Sequence, residues 1–293
     1  MNLEHQTKDP RILAGYAELH PGKRRISTVR KLLALFLGSL AAIAIYVVAG
    51  MLTNGVPASA KPAQRDPDAL WAIVNDQCVQ DEIQNHDPYP CLHVNLGQGV
   101  DKGFALLKDR NGATQLLLIP TAKITGIESP EIQRPEATNY FAEAWHARAF
   151  LEALAHKPLP RTAVSLAINS KFSRSQNQLH IHLDCLRQDI SETLRAAAIG
   201  DTWTPLDFAS SGHHYLARRV PGDELSVNPF KLLADEVPGA KENMEQQTLV
   251  VVGAASKDGL PGFIILQSRV DRATGNLAEG EELQDHACSI AGI

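Results

Sequence analysis

Residues 32–52 form a run of 21 residues without a charged side chain. As a helix, such a run is long enough to cross the hydrocarbon layer of a bilayer. The run therefore divides the chain. Lys23, Arg24, Arg25, Arg30 and Lys31 crowd its N-terminal side, whereas the next basic residues beyond it are Lys61 and Arg65. This asymmetry predicts a single-pass anchor, with residues 1–31 as a cytoplasmic arm and the rest outside, in the periplasm at the inner membrane of a Gram-negative cell. A cleaved signal peptide competes with this reading, since Pro57-Ala-Ser-Ala60 resembles a cleavage site. The length of the run and the polar arm before it favour the anchor. Residues 53–67, rich in Pro, Ala and polar side chains, read as a linker. Residues 68–293 are then enough for one large domain.

The four cysteines, Cys78, Cys91, Cys185 and Cys288, all lie beyond the run. An even count in an exported domain suits two disulfides, and three connectivities are open. One of them joins Cys78 to Cys91 and Cys185 to Cys288. A net charge of −5 argues against nonspecific nucleic-acid binding. No internal repeat is visible in the sequence.

The patterning predicts an α+β domain. Residues 68–79 read as a short amphipathic helix. Residues 103–108 and 114–119 read as strands joined through Asn111-Gly112, a pair that favours a tight hairpin turn. The helical period of Phe141, Trp145 and Leu151 predicts a helix over 138–155, ending before Pro158. Strands follow at 161–169 and 177–187. Ser191 is the expected cap of a helix to about Ile199, and residues 249–253 and 262–267 are expected to form a last hairpin.

Asn177-Gln-Leu-His-Ile-His-Leu183 carries the chemistry. In a strand, side chains two apart share a face, so His180 and His182 stand together and Leu179, Ile181 and Leu183 point to the core. Imidazole keeps a neutral, nucleophilic fraction near pH 7. Zinc is the rival use of a His-x-His pair; it needs a third protein ligand, and no local spacing supplies one, although His213, His214 or Asp285 could by folding. Upstream, a β-rich stretch ends at Asn169 and leads into a polar loop whose tip holds Ser173, Arg174, Ser175 and Gln176. Hydroxyl, amide and guanidinium donors beside imidazoles suit a phosphate. Lys123 is a candidate substrate contact beyond the second hairpin strand, and Asp285-His286 a weaker acid–base pair.

With these residues in view, the chain resembles the histidine-triad superfamily of nucleotidyl hydrolases and transferases, whose motif alternates three histidines with apolar residues. It resembles most closely the membrane-anchored branch, the CDP-diacylglycerol pyrophosphatases. Leu107-Lys-Asp-Arg-Asn-Gly112, Thr125-Gly-Ile-Glu-Ser-Pro130, Ala163-Val-Ser-Leu-Ala-Ile-Asn-Ser170, His180-Ile-His182, His214-Tyr-Leu-Ala-Arg-Arg-Val220 and Gln284-Asp-His-Ala-Cys288 carry the likeness. Gln178 departs from it, standing where the motif has its first histidine, on the same strand face and still able to donate an N–H to phosphate.

The resemblance implies a histidine-triad-like domain of mixed helix and antiparallel sheet behind one transmembrane helix. It implies His180 as nucleophile on CDP-diacylglycerol and His182 as phosphate ligand or proton donor. Asn169, Ser175, Gln176 and Gln178 would orient the phosphates, with no metal or other cofactor required. A second register would make His182 the nucleophile and put Asp184 in third place. The implied partner is CDP-diacylglycerol in the bilayer. A different nucleotide diphosphate as substrate, or a non-catalytic envelope protein that binds nucleotides or lipid headgroups, are the alternatives.

Overall fold

The computed structural model describes residues 66–256 and 258–292. The expected arm, the membrane run and residues 53–65 of the linker lie outside the described residues. Among the described residues no helix is long and apolar enough to cross a membrane.

The sheet has nine strands, all antiparallel to their neighbours, in the order β1-β2-β3-β5-β4-β8-β9-β7-β6. They are β1 His93–Asn95, β2 Phe104–Lys108, β3 Leu116–Pro120, β4 Val164–Ile168, β5 Ile181–Cys185, β6 Thr204–Asp207, β7 His214–Pro221, β8 Gln247–Ala255 and β9 Pro261–Arg269. The domain is α+β, as the patterning predicts.

The connections repeat although the sequence does not. Hairpin β2–β3 leads through helices α2 (Tyr140–His146) and α3 (Arg148–Leu154) to the pair β4–β5. Hairpin β6–β7 leads through a shorter helix, Pro229–Glu236, to the pair β8–β9. Each unit lays its strands in the same relative order, and the two meet where β4 pairs with β8. Topology can repeat without sequence repetition because alternation and caps, not particular residues, define these elements. Asn139 caps α2 by accepting from the Ala142 amide (3.3 Å). Asn228 accepts from the Phe230 amide (3.0 Å), with Pro229 in the first turn of the second connecting helix.

One sheet face packs against α2, α3 and the Pro229–Glu236 helix. Leu118, Leu166, Ile181, Leu183, Val251 and Ile265 bury their side chains there, each contributing about 1.5–3 kcal/mol. The other face is covered at both ends. Helix α1, formed by Ala69–Ala72, a π-helical stretch Ile73–Cys78 and Val79–Asn85, sets Leu70 and Val74 on Ala105, Leu117 and Ile119. Helix α4 (Gln188–Ala196) sets Ile190 and Leu194 on Val250, Val252, Ile264 and Leu266. We call the Pro229–Glu236 helix α5. Strand β5 lies between the two covers.

Helix α1 runs on to Asn85, past the expected end at 79, and residues 161–163 form a 3-10 turn before β4; three further boundaries differ for identifiable reasons. Helix α4 starts at Gln188, so Ser191 is internal; Arg187 precedes it and clamps Asp189 through Nε (3.1 Å) and Nη2 (2.8 Å). The 138–155 helix is broken at Ala147, where the Arg148 guanidinium takes the Trp145 carbonyl (2.9 Å). Strand β5 starts at Ile181, because Gln178 and Leu179 bond to the end of β3 and the loop beyond it, residues 120–124, out of ladder register.

Disulfides join Cys78 to Cys91 and Cys185 to Cys288. The second pins a C-terminal strap, residues 278–288, across the sheet. The Gln284 amide reaches the Ser165 and His182 carbonyls (3.2 and 3.0 Å), the Asp285 amide reaches the Cys185 carbonyl (2.9 Å), and the His286 carbonyl accepts from Ala113 (3.1 Å). Gly280 lets the strap approach this closely, since a Cβ there would meet the Thr248 hydroxyl at 2.7 Å.

Candidate active site

His180 and His182 share the face between α1 and α4, and their ring centroids lie 4.9 Å apart. Leu179, Ile181 and Leu183 fill the opposite face, within the core under α2 and α3. The alternation that the sequence displays is therefore the alternation of the site.

Each imidazole is held at Nδ1. His180 Nδ1 lies 2.6 Å from the Gln178 carbonyl. A carbonyl only accepts, so the proton sits on Nδ1 and the lone pair on Nε2. Burial, helped by the charges of His182 and Arg174, lowers the His180 pKa to about 4, and the ring is neutral at pH 7. His182 Nδ1 lies 2.9 Å from Glu281 Oε1. The Gln115 amide nitrogen is 3.0 Å from the same Nδ1, but it donates to Glu281 Oε1 (2.8 Å), the acceptor shared by both. His182 Nε2 is buried without a hydrogen-bond partner.

Glu281 is the residue that sequence reasoning missed. It comes from the strap, and its second oxygen takes the Asn169 amide group, while the Asn169 carbonyl oxygen accepts from the Glu281 backbone amide (3.3 Å). Burial opposes its ionisation. The hydrogen bond and charge of His182, with the bonds from Asn169 and Gln115, overcome that and hold Glu281 at about 2. The only sequence signal was an acidic run, Glu279-Gly-Glu-Glu282, which reads as solvated surface.

Arg174, expected at the loop tip among the phosphate donors, is buried instead. Its side chain is 4% exposed and grips Glu128 with both terminal nitrogens (2.6 and 2.5 Å), leaving Nε buried and unpartnered. It lines a small cleft together with His180, Asn169 and Gly126. Gly126 makes room for it, since a Cβ there would overlap the guanidinium.

The other expected residues are distributed differently. Gln178 lines the cleft, but its amide nitrogen donates to the Pro120 and Ala122 carbonyls (3.0 and 2.8 Å) and its oxygen accepts from Ile124 (3.3 Å). Both N–H groups are spent on backbone, so Gln178 braces the cleft and has none left for phosphate. Gln176 is likewise taken, by Leu70 and Asp66 (2.8 and 3.0 Å). Ser175 is exposed at the loop tip. Lys123 stands on the outer rim, over the Trp71 ring at 5.9 Å and 3.9 Å from Asp68. Asn169 is present in the cleft, bound to Glu281.

His286 pairs with Asp184 (2.8 Å) rather than with its neighbour Asp285. Asp184 is fully buried and also takes the Thr114 hydroxyl (2.7 Å). His213 binds Glu282 (2.8 Å) and His214 binds Asp207 (2.7 Å). Among the described residues no group of three or more His, Cys, Asp or Glu side chains is placed to hold a metal ion.

Chemically, the arrangement offers a neutral imidazole with a free Nε2, a second imidazole backed by a carboxylate, and a buried guanidinium beside the cleft. That is equipment for attack on a phosphoryl group. A family model described as CDP-diacylglycerol pyrophosphatase matches residues 65–292. A CDP-diacylglycerol pyrophosphatase of Yersinia pestis is 44% identical over 226 residues, which cover 76% of this chain and 84% of that protein. The chain belongs to the CDP-diacylglycerol pyrophosphatase family.

Proposed function

We propose that this chain hydrolyses CDP-diacylglycerol to CMP and phosphatidate with His180 as the nucleophile. Family membership supports the reaction. The observation that carries the mechanism is the His180 ring, neutral by burial and fixed through Nδ1 on the Gln178 carbonyl.

His180 Nε2 attacks the phosphorus attached to cytidine. The bond from that phosphorus to the bridging oxygen breaks, and its electron pair leaves with phosphatidate. A cytidylyl-histidine remains. Water then attacks the same phosphorus, the P–N bond breaks, and CMP departs. His182 handles the proton at Nε2, delivering it toward the bridging oxygen and later accepting one from water, with Glu281 balancing the imidazolium charge. Arg174 offers Nε to the phosphoryl oxygens, where negative charge gathers. Asn169 acts on Glu281, and so positions His182. We read the motif as a histidine-triad variant in which Gln178 has become a brace.

The same proposal places residues 32–52 across the inner membrane and the domain in the periplasm. The charge asymmetry and the two disulfides support it. Anchoring raises the effective concentration of a lipid substrate.

A second reading makes His182 the nucleophile, favoured by its unpartnered Nε2. One experiment separates them. CDP-diacylglycerol labelled at the cytidine-side phosphorus is given to the full chain, which is then quenched under conditions that preserve phosphohistidine. Wild type releases labelled CMP and carries transient, acid-labile label; His180→Ala does neither. Label retained in His180→Ala and lost in His182→Ala would exchange the two roles. Absence of both products in the folded wild type would sink the hydrolase reading.

A further inference from the structure

The loop beside His180 carries an aromatic side chain that packing does not consume. Phe172 is 40% exposed, and so is Leu277, which leads into the neighbouring strap. Ser170 brings the two together. Its hydroxyl accepts from the Phe172 amide (3.0 Å) and donates to the Leu277 carbonyl (2.6 Å). Its own amide donates to the Ala278 carbonyl (3.0 Å). Two exposed apolar residues thus have their backbones joined at one hydroxyl, in a loop that also carries Asn169 and Arg174 of the His180 cleft. Cations frame them. The Arg272 guanidinium lies 5.3 Å from the Phe172 ring centroid, and Lys171 is exposed beside it. Asp271 and Glu279 are the exposed acidic neighbours.

The chain also enters the domain at this loop. Gln176 donates to the Asp66 carbonyl (3.0 Å) and accepts from the Leu70 amide (2.8 Å), and the Asn177 amide donates to the Pro67 carbonyl (2.7 Å). Only residues 53–65 separate that entry point from the charge-free run at 32–52. Thirteen residues span at most about 45 Å when fully extended. The linker from the run to the loop that borders the cleft is therefore short in sequence.

We infer that Phe172 and Leu277 form a membrane-docking patch that seats the mouth of the His180 cleft on a phospholipid surface. An aromatic ring and a leucine enter the boundary between headgroups and acyl chains, while Lys171 and Arg272 meet lipid phosphates. This inference rests on the proposed lipid substrate and deepens it. A bilayer-borne substrate holds its diphosphate at headgroup level, and the patch brings the cleft to that level.

The test uses the full chain in vesicles of phosphatidylethanolamine and phosphatidylglycerol, with the double variant Phe172→Ser, Leu277→Ser. Two substrates are compared: long-chain CDP-dioleoylglycerol in the vesicle, and water-soluble CDP-dihexanoylglycerol. For the vesicle-borne substrate, kcat/KM should fall about tenfold, the scale of losing two partly buried apolar contacts. For the soluble substrate it should stay within twofold, which also shows that the variant is folded. An equal fall on both substrates, or no fall on either, overturns the docking role. A second readout is independent of turnover. Phe172→Trp in vesicles with brominated acyl chains should be quenched beyond the wild-type tryptophan background, and no added quenching overturns the patch. If wild type hydrolyses neither substrate while the Trp variant is quenched, the substrate assignment fails and the patch stands.

Discussion

The two halves of the sheet share one plan, and one row of side chains across them shows where they part. Reading the cross-strand pairs outward from the seam, one rung runs Leu117, His182, Ala167, Val250, Leu266, Ala217. The seam falls between Ala167 and Val250. On one side of it stands His182 and, at the matching place on the other, Leu266. The first half keeps this face polar along β5, with His180, His182 and Asp184, and closes it with a strap of hydrogen bonds. The second half makes the same face apolar and closes it with α4. The difference teaches that the plan itself carries no chemistry. Chemistry depends on what covers the face: a helix demands apolar residues beneath it, whereas a strap with a carboxylate can hold an imidazole.

Making the first half resemble the second should give the largest effect. His182→Leu should lower kcat by about a thousandfold, the scale of losing a general acid–base, and should also lower the melting temperature, because the buried Glu281 carboxylate loses the imidazole that offsets its burial. Leu266→Ala should act on stability alone, costing about 2–5 kcal/mol through a cavity under α4 while kcat per folded molecule is preserved. Urea melts and turnover on the same preparations check both. A loss of kcat in folded Leu266→Ala would mean that the second half takes part in the reaction.

The strap is the next place to break the comparison. Glu281→Gln should lower kcat about a hundredfold with KM nearly unchanged, since it alters how His182 is held rather than what binds. The variant also has a stability signature. Glu281 is held at about 2 against an ordinary 4.5, so its contribution is complete above pH 4.5 and lost as pH falls toward 2. Glu281→Gln should flatten the stability curve within that window. A purely structural glutamate would give the flattening without the kcat loss. Gly126→Ala should act more weakly. Its Cβ displaces the Arg174 guanidinium from the phosphoryl oxygens it serves, so kcat/KM should fall about tenfold.

These residues also show where a sequence is readable. The β2–β3 hairpin, the last hairpin and the face shared by His180 and His182 were legible because alternation and turn residues are local signals, although residues 109–115 link β2 to β3 as a wider loop than the tight turn that Asn111-Gly112 favours. β6 and β7 were not, since Pro205 and the exposed His213-His214 segment interrupt the alternation. α5 is only eight residues long, and its cap is its main mark. Glu281 was hidden for a different reason. An acidic run looks solvated, and only the register of the strap against β4 and β5 turns Glu281 toward His182 and Glu282 toward His213 and Tyr215. Gln178 looked like a phosphate donor because its type permits it. Its two N–H groups go to carbonyls that a sequence does not place nearby.

The smallest effect lies in the pH dependence of folding, where buried histidines and carboxylate-paired histidines pull in opposite directions. In the first half, His93 is buried between Phe104 and Phe150, with ring centroids 6.0 Å from each, and its pKa falls to about 4, as does that of His180. The unfolded chain takes up these protons near pH 6.5, before the folded chain does. Both groups therefore drain stability as pH drops from 6.5 toward 4. In the second half, Asp207 raises the pKa of the exposed His214, so whatever that pair contributes is present below pH 6.5 and lost as pH rises through its folded value. His146 and His286, beside Glu143 and Asp184, shift in this second direction as well. Replacing His93 by Phe removes one buried titrating group without touching the cleft. Stability measured by urea melts between pH 6.5 and 4 should then fall less steeply than in wild type, by up to about 1.4 kcal/mol per pH unit. An unaltered slope would mean that His93 finds a way to its proton in the folded state.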